Sequence, residues 1–181
     1  MRGLLSLVLR NRAGVAAAEM AMVAPFLIIL MFGSVELGNY FMVEHAVIKQ
    51  VRDGARYGSR LTLATDYSCE AGSDLSTVFA DSNASDNIVN VTKTGSVDGT
   101  ATGRFASTFW SACGDDPDAV SVSIRCVDKA NYAGVYSTLG DDIPVVKVSA
   151  DVTYPSLFGA VGFDAANLCL RAERESAVYG L

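Results

Sequence analysis

Residues 15–35 read VAAAEMAMVAPFLIILMFGSV, an apolar run of 21 positions with a single charge at Glu19. As a helix, this run would rise about 31 Å at 1.5 Å per residue, which is enough to cross the hydrocarbon core of a bilayer. Residues 1–14 contain three arginines and no acidic side chain. The stretch therefore predicts an N-terminal transmembrane helix that lies in a lipid bilayer.

Two other interpretations of this segment are a cleaved secretory signal peptide and a plain signal anchor. The apolar run is longer than the roughly 7–15 residues of an ordinary signal-peptide core. It also carries a carboxylate in its first turns, and a helical pattern continues beyond it where a cleavable small-residue site would be needed. These features argue against a signal peptide, whereas a signal anchor stays open.

Glu19 is the unusual residue of the run, because an ionisable group in a membrane span is costly unless it is paired. No basic residue lies one helical turn away from it. A cut after Gly14 would place a new amino terminus on Val15, four residues before Glu19. We expect the carboxylate to pair with that ammonium group, from the same chain or a neighbouring subunit. Glycine before the cut suits a peptidase that binds extended, unhindered backbone.

Pro25 lies inside the run and predicts a helix kink, since neighbours in a membrane satisfy the backbone groups that proline frees. Gly33 and Gly38 permit the close approach of another helix, and simple tolerance of glycine explains them equally well.

The stretch from Gly14 to Glu19 resembles the processing site of a type IV-like prepilin, with a glycine and then a glutamate at the fifth mature position. The run AAAEMAMVAPFLIILMFGSVELGNYF and the later VRDGARYG at 51–58 resemble the TadE-like (TadE/TadG) proteins. These are pseudopilins or minor pilins of Tad (Flp) type IV pili. The resemblance covers roughly residues 10–60.

The resemblance implies a pilin-like subunit needed to assemble pili that attach cells to surfaces. It implies a prepilin peptidase that cuts between Gly14 and Val15, and as partners other pilin or pseudopilin subunits and inner-membrane pilus assembly proteins. It also implies a single-pass inner-membrane protein with its C-terminal domain in the periplasm, or a subunit incorporated into an extracellular pilus. Counting the flanking basic residues does not settle this orientation. The alternative function is a signal-anchored envelope binding domain unrelated to pili.

Charge is divided unevenly along the 181 residues, whose net charge is −6. Residues 1–61 hold seven basic and four acidic side chains, so residues 62–181 carry a net charge of −9. Because so acidic a surface repels phosphate backbones, the composition argues against nucleic acid as a partner.

Beyond the apolar run, a four-residue repeat predicts that the helix continues to about residue 61 and packs one stripe on the domain. The stripe consists of Val43, Val47, Val51 and Ala55. Basic side chains occupy the other faces: Lys49, Arg52, Arg56 and Arg60. A solvated face is the favoured interpretation of these cations, with anionic lipid or an acidic neighbour as the alternative.

Alternation of apolar and polar residues predicts three strands, each with one buried face, around Val120–Cys126, Val146–Tyr154 and Leu168–Glu173. Ile88–Val91 is a fourth strand candidate. The connection Pro155–Phe163 is apolar and predicts either a turn on the core or an exposed contact for another subunit.

The predicted fold class is α+β, with the long N-terminal transmembrane helix continuing into a small, pilin-like periplasmic domain that contains an antiparallel sheet. We expect a leader peptide at 1–14, the transmembrane and juxtamembrane helix at 15–61, and an acidic extracytoplasmic domain at 62–181.

The four cysteines all follow the apolar run and form no CxxC pair: Cys69, Cys113, Cys126 and Cys169. An even number of dispersed cysteines predicts two disulfides in an oxidising compartment, with four buried free thiols as the alternative. Three pairings are open, and a Cys113–Cys126 bridge is weakly favoured. His45, the single histidine, does not complete a zinc site with them at ordinary spacing, so no metal or other cofactor is expected.

Catalytic signatures are missing from the sequence, which contains no GxSxG, no HExxH and no phosphate-binding loop. The acidic turn GDDPD at 114–118 lacks the ligand spacing of an EF-hand and favours a solvated turn over a calcium site. We therefore predict a structural protein and not an enzyme.

Overall fold

The computed structural model describes residues 12–62, 69, 82–100, 110–114, 117–128, 130, 134, 136, 142–159 and 168–179. These residues form two helices and three strands: α1 (Arg12–Gly58), α2 (Ser82–Thr94), β1 (Val120–Val127), β2 (Ile143–Thr153) and β3 (Cys169–Ala177). A long N-terminal helix followed by a small antiparallel sheet confirms the predicted α+β class. The chain divides into two compact units between Phe41 and Met42, a boundary within α1.

The three strands form one antiparallel sheet in the order β1-β2-β3. Val148 of β2 pairs with Val122 of β1 on one side and with Arg174 of β3 on the other. Along β2, buried and half-buried residues alternate from Val146 onward, as expected for a strand with one face on the core. The period-two prediction is therefore confirmed. β3 runs on to Ala177, through a charged stretch that the apolar alternation did not reveal.

The part of α1 beyond Met42 buries the predicted stripe. Its four members are Val43, Val47, Val51 and Ala55, and all of them are buried. Full burial of one such valine side chain stabilises the fold by about 1.5–3 kcal/mol. The helix ends at Gly58 in a tightened turn, where the N–H of Arg60 donates to the carbonyl of Tyr57 over 3.0 Å.

The strand predicted at Ile88–Val91 is wrong, because these residues lie inside α2. Ala84, Ile88 and Thr92 are buried at a spacing of four residues, which is the period of a helix. A four-residue window with three β-branched or apolar side chains is too short to show that period. α2 ends at Thr94 and is followed by Gly95, whose φ of +80° is the left-handed conformation that glycine adopts readily.

Two glycines of α1 allow close packing in the core. A Cβ atom at Gly54 would overlap the hydroxyl group of Thr92, which is buried and donates to the carbonyl of Ile88 over 2.8 Å. A Cβ atom at Gly58 would lie 3.1 Å from both the Ile88 side chain and the Val146 side chain. Gly54 and Gly58 therefore allow α1 to contact α2 and the sheet at the same place.

The segment after β3 closes on the end of α1. The N–H of Tyr179 donates to the carbonyl of Ser59 over 2.9 Å, and the Arg60 Nε donates to the Tyr179 hydroxyl over 3.2 Å. The hydrogen bond from Arg60 lowers the pKa of Tyr179 below its usual value. Val178, the residue before Tyr179, is fully buried. The C-terminal segment thus holds the end of the long helix against the domain.

Candidate functional site

The N-terminal part of α1 exposes its apolar side chains on all sides. Large hydrophobic residues from Val15 to Phe41 are exposed, among them Phe26, Leu30 and Met31. By length and composition, this helix is able to span a membrane, and its most apolar window is 0% buried. A core helix of a soluble domain would bury much of such a window. The exposed surface therefore needs lipid or other protein chains to cover it.

Glu19 is an exposed carboxylate within this apolar surface. Val15 precedes it by four residues, so both lie on one face of α1 and about one turn apart. Within the described residues, α1 extends from Arg12 and passes through Gly14 and Val15 without a break. Within the described part of the chain, Glu19 forms no ion pair. Its position suits a charge partner that is created by processing or supplied by another subunit.

Pro25 lies inside α1, which continues through it, and the proline side chain is exposed. Gly33 and Gly38 are also open on the surface, and a Cβ atom at either position would meet nothing within 4 Å. The described chain thus leaves room for another helix to approach both glycines closely.

The four cysteines form two disulfides, Cys69–Cys126 and Cys113–Cys169, each with a Cα–Cα distance of 5.8 Å. The prediction of two bridges is confirmed, and the alternative of four free thiols is wrong. Each bridge closes a long loop, with sequence separations of 57 and 56 residues. Cross-links over loops of this length stabilise a small secreted domain by about 2–5 kcal/mol.

The favoured pairing of Cys113 with Cys126 is wrong, because these cysteines lie at opposite ends of β2. Cys126 is opposite Pro144, near the start of β2. The N–H of Cys113 donates to the carbonyl of Asp151 over 3.3 Å, near the end of the same strand. Seven strand positions separate Pro144 from Asp151, about 23 Å at 3.3 Å per residue. A disulfide requires Cα atoms within about 7 Å.

Cys113 and Cys169 lie beside Asp151, and one ligand atom of each lies within 4.8 Å of the others. Both sulfur atoms are joined to each other in a disulfide, so neither offers a thiolate to a metal ion. Asp151 also forms an ion pair with Arg171, in which the carboxylate oxygen lies 2.7 Å from the guanidinium Nε. The disulfide and this ion pair therefore explain the positions of the three side chains.

Ion pairs cross the face of the sheet that is turned away from the core. Arg125 pairs with Glu175 at 3.1 Å and Lys147 pairs with Glu173 at 2.8 Å. The hydrogen bond from Glu173 raises the pKa of Lys147 above its usual value. These pairs are exposed, so each contributes little to stability. Together with the pair between Arg171 and Asp151, they occupy three of the four charged side chains of β3.

A cleft of about 460 Å³ lies between α1 and β3, entirely within the unit that begins at Met42. We call it the arginine cleft; its lining residues are Ile48, Arg52, Arg171, Ala172, Glu173 and Arg174. Sequence reasoning noted the cations of the helix but not this site, because Arg52 and Arg174 are far apart along the chain. Their convergence follows only from the packing of α1 beside β3.

Some predicted features fall outside the described residues. They include residues 1–11 of the expected leader, Asp115 and Asp116 of the acidic turn, and residues 160–163 of the apolar connection. Trp110 is described, and its indole N–H donates to the carbonyl of Lys93 at the end of α2 over 3.0 Å.

The family model described as TadE-like protein matches residues 14–56 of the chain. No curated protein and no solved structure matches the chain. The matched segment is about a quarter of the chain and contains Gly14, Glu19, Pro25 and almost all of α1. It confirms the resemblance found in the sequence. This helical segment is similar to the TadE-like family, and the match suggests a Tad pilus-associated protein.

Proposed function

We propose that this protein is a pseudopilin or minor pilin needed for the assembly of Tad (Flp) type IV pili and for surface attachment. A prepilin peptidase cuts it after Gly14, leaving Val15 as the mature amino terminus. The apolar part of α1 then spans the inner membrane once, with the disulfide-containing domain in the periplasm. From there the subunit joins other pilin-like subunits and inner-membrane assembly proteins, or enters the pilus itself.

The observation that carries this proposal is the exposed carboxylate of Glu19 within an exposed apolar helix. A charge in lipid is costly unless it is paired, and among the residues described no ion pair serves it. A cut after Gly14 would supply an ammonium group four residues away. In a bundle of such helices, the carboxylate of one subunit would pair with the amino terminus of its neighbour and set the axial position of the two helices.

Two further observations support the same function. The family match begins at Gly14, so the matched segment includes the residues on both sides of the proposed cut. Two disulfides are typical of a domain in an oxidising compartment, which supports a periplasmic side for residues beyond the span. The role is that of a structural subunit that acts through contacts with other chains.

Glu19→Ala tests the proposal in a Tad-piliated strain whose own copy of this gene is deleted. We expect the variant to be processed at Gly14 but to lower piliation and surface attachment at least about tenfold, because the carboxylate that pairs with an amino terminus is lost. Met22→Ala is the matched control, since it alters an exposed side chain less than one turn away and removes no charge. Normal processing together with normal piliation in Glu19→Ala would show that the carboxylate has no role in assembly.

A further inference from the structure

The arginine cleft brings cations of two distant segments together. Arg52 is exposed on α1 and Arg174 is exposed on β3, and both line the cleft. Within the described chain, neither of these guanidinium groups forms an ion pair. Arginine presents a planar fork of donors that fits a carboxylate or phosphate group. The cleft thus offers two unneutralised forks to an anionic ligand.

The other two charged residues described in the cleft form ion pairs with residues that do not line it. Arg171 pairs with Asp151 at 2.7 Å, and Glu173 pairs with Lys147 at 2.8 Å. Among the described residues of the lining, Glu173 is the single acid, and its charge is opposed by its own lysine partner. The charge available to a ligand is therefore positive, in a domain whose residues 62–181 carry a net charge of −9.

The cleft follows the outer edge of the sheet. Among the strands that the structure describes, β3 pairs with β2 on one side and with none on the other, since the strand order is β1-β2-β3. Four consecutive residues, 171–174, line the cleft, although successive side chains of a strand point to opposite faces. The cleft therefore runs along the edge of the strand, where backbone donors and acceptors are available for an added strand. Charged side chains on an edge strand can serve only to prevent pairing with another chain. That role does not explain why an exposed apolar residue lies beside these charges.

That apolar residue is Ile48, which is 45% exposed on α1 next to Arg52. An aliphatic side chain flanked by arginines provides contact area for a peptide side chain as well as charge. A lipid headgroup would use the two arginines but would gain nothing from a strand edge. The combination of edge, apolar contact and free cations fits an extended peptide segment that carries carboxylates.

We propose that the arginine cleft is the docking site for an extended, carboxylate-bearing segment of a neighbouring pilus subunit. The segment lies along the edge of β3, places a carboxylate between Arg52 and Arg174, and covers Ile48. This inference rests on the proposed function, because it takes the neighbour to be a subunit of the same assembly. It gives the periplasmic domain its own contact, separate from that of Glu19.

The test is photo-cross-linking in the piliated strain, with p-benzoylphenylalanine in place of Ile48 in the full-length protein. We expect an adduct to a peptide of a pilus subunit that contains Asp or Glu, identified by mass spectrometry. Arg52→Glu combined with Arg174→Glu should lower the adduct at least about tenfold, because charge reversal replaces attraction with repulsion. Replacing the carboxylates of the cross-linked peptide by lysine should restore it.

Arg56→Glu is the matched control, since Arg56 is exposed on the same helix but does not line the cleft. It should leave the adduct within about twofold. Formation of both disulfides on a non-reducing gel shows that the charge-reversal variant is folded, and Arg52→Gln with Arg174→Gln provides a milder version expected to give a partial loss.

An adduct to lipid alone, an adduct that survives charge reversal, or no adduct in a strain that makes pili overturns this inference. The same cells report on the proposed function separately, through the mature amino terminus and the piliation level. A chain that begins at Val15 and supports pili, with no charge-dependent adduct, contradicts the docking site while leaving the pilus role in place.

Discussion

The two parts of α1 have the same secondary structure and opposite surroundings. From Val15 to Phe41 the helix exposes large apolar side chains, whereas from Val43 to Ala55 it buries a stripe against its own domain. The second part is stabilised within the chain by contacts that a single copy can make. The first part has an apolar surface that only a membrane or neighbouring subunits can cover. One continuous helix thus joins a part with an exposed apolar surface to a part that packs on its own domain.

The family match follows the helix and not the sheet. It ends at residue 56, two residues before α1 ends, so the three strands and both disulfides lie outside it. The matched residues therefore belong to the apolar part of α1 and to the buried stripe beyond it. The arginine cleft combines matched and unmatched residues, because Ile48 and Arg52 lie inside the match and residues 171–174 lie outside it.

The largest expected effect is on the stability of the domain, which depends on a disulfide, whereas the apolar part of α1 does not. Replacing Cys113 and Cys169 by serine removes a cross-link that closes a 56-residue separation, and should lower the free energy of unfolding by about 2–5 kcal/mol. Urea denaturation of the full chain in detergent measures it. The apolar helix should keep its helical signal, and processing at Gly14 should be unchanged. A loss below about 0.5 kcal/mol would mean that this bridge does not hold the domain together.

A pair of glycine substitutions sharpens the comparison within α1 itself. Gly54→Ala should destabilise the domain by about 1–3 kcal/mol, because the new methyl group meets the buried Thr92 hydroxyl. Gly38→Ala adds the same methyl group where nothing lies within 4 Å, and should be neutral or stabilise the helix by up to about 1 kcal/mol. Thermal unfolding of both variants in the same detergent compares them. An equal loss of stability in the two variants would contradict the division of α1 into a packed part and an exposed part.

The smallest effect concerns a turn after α2. The side-chain hydroxyls of Ser96 and Thr100 each donate to Asp98 over 2.6 Å, and these bonds lower the pKa of Asp98 from 3.8 to about 2. A lowered pKa in the folded state contributes stability that is present above pH 3.8 and is lost as the pH falls toward 2. Asp98→Asn should therefore be slightly less stable than the parent at pH 7, and the difference should vanish near pH 2. Asp86→Asn, on the exposed face of α2, controls for the loss of one negative charge.

Local patterns predicted much of this fold. The period of four in Val43, Val47, Val51 and Ala55 and the period of two in the three strands each follow from one buried face, and both were confirmed. α2 was missed because its apolar positions are few and are separated by polar residues, so a short window resembled a strand.

Features that depend on contacts between distant parts of the sequence could not be predicted from local patterns. The number of disulfides followed from the number of cysteines, but the pairing depends on which end of β2 each cysteine approaches. The arginine cleft joins residues on the first and last described elements, and neither arginine is unusual in its own segment. Glu19 was found from the sequence because a charge in an apolar run is visible without any tertiary contact.

The mature amino terminus is the most direct test of the pilus assignment. Intact-mass measurement of the protein purified from a Tad-piliated host, and from the same host without its prepilin peptidase, identifies the first residue in each case. We expect a chain that begins at Val15 when the peptidase is present and at Met1 when it is absent. A chain that keeps Met1 in both hosts, or begins at any other residue, would contradict it and would favour an anchored envelope domain unrelated to pili.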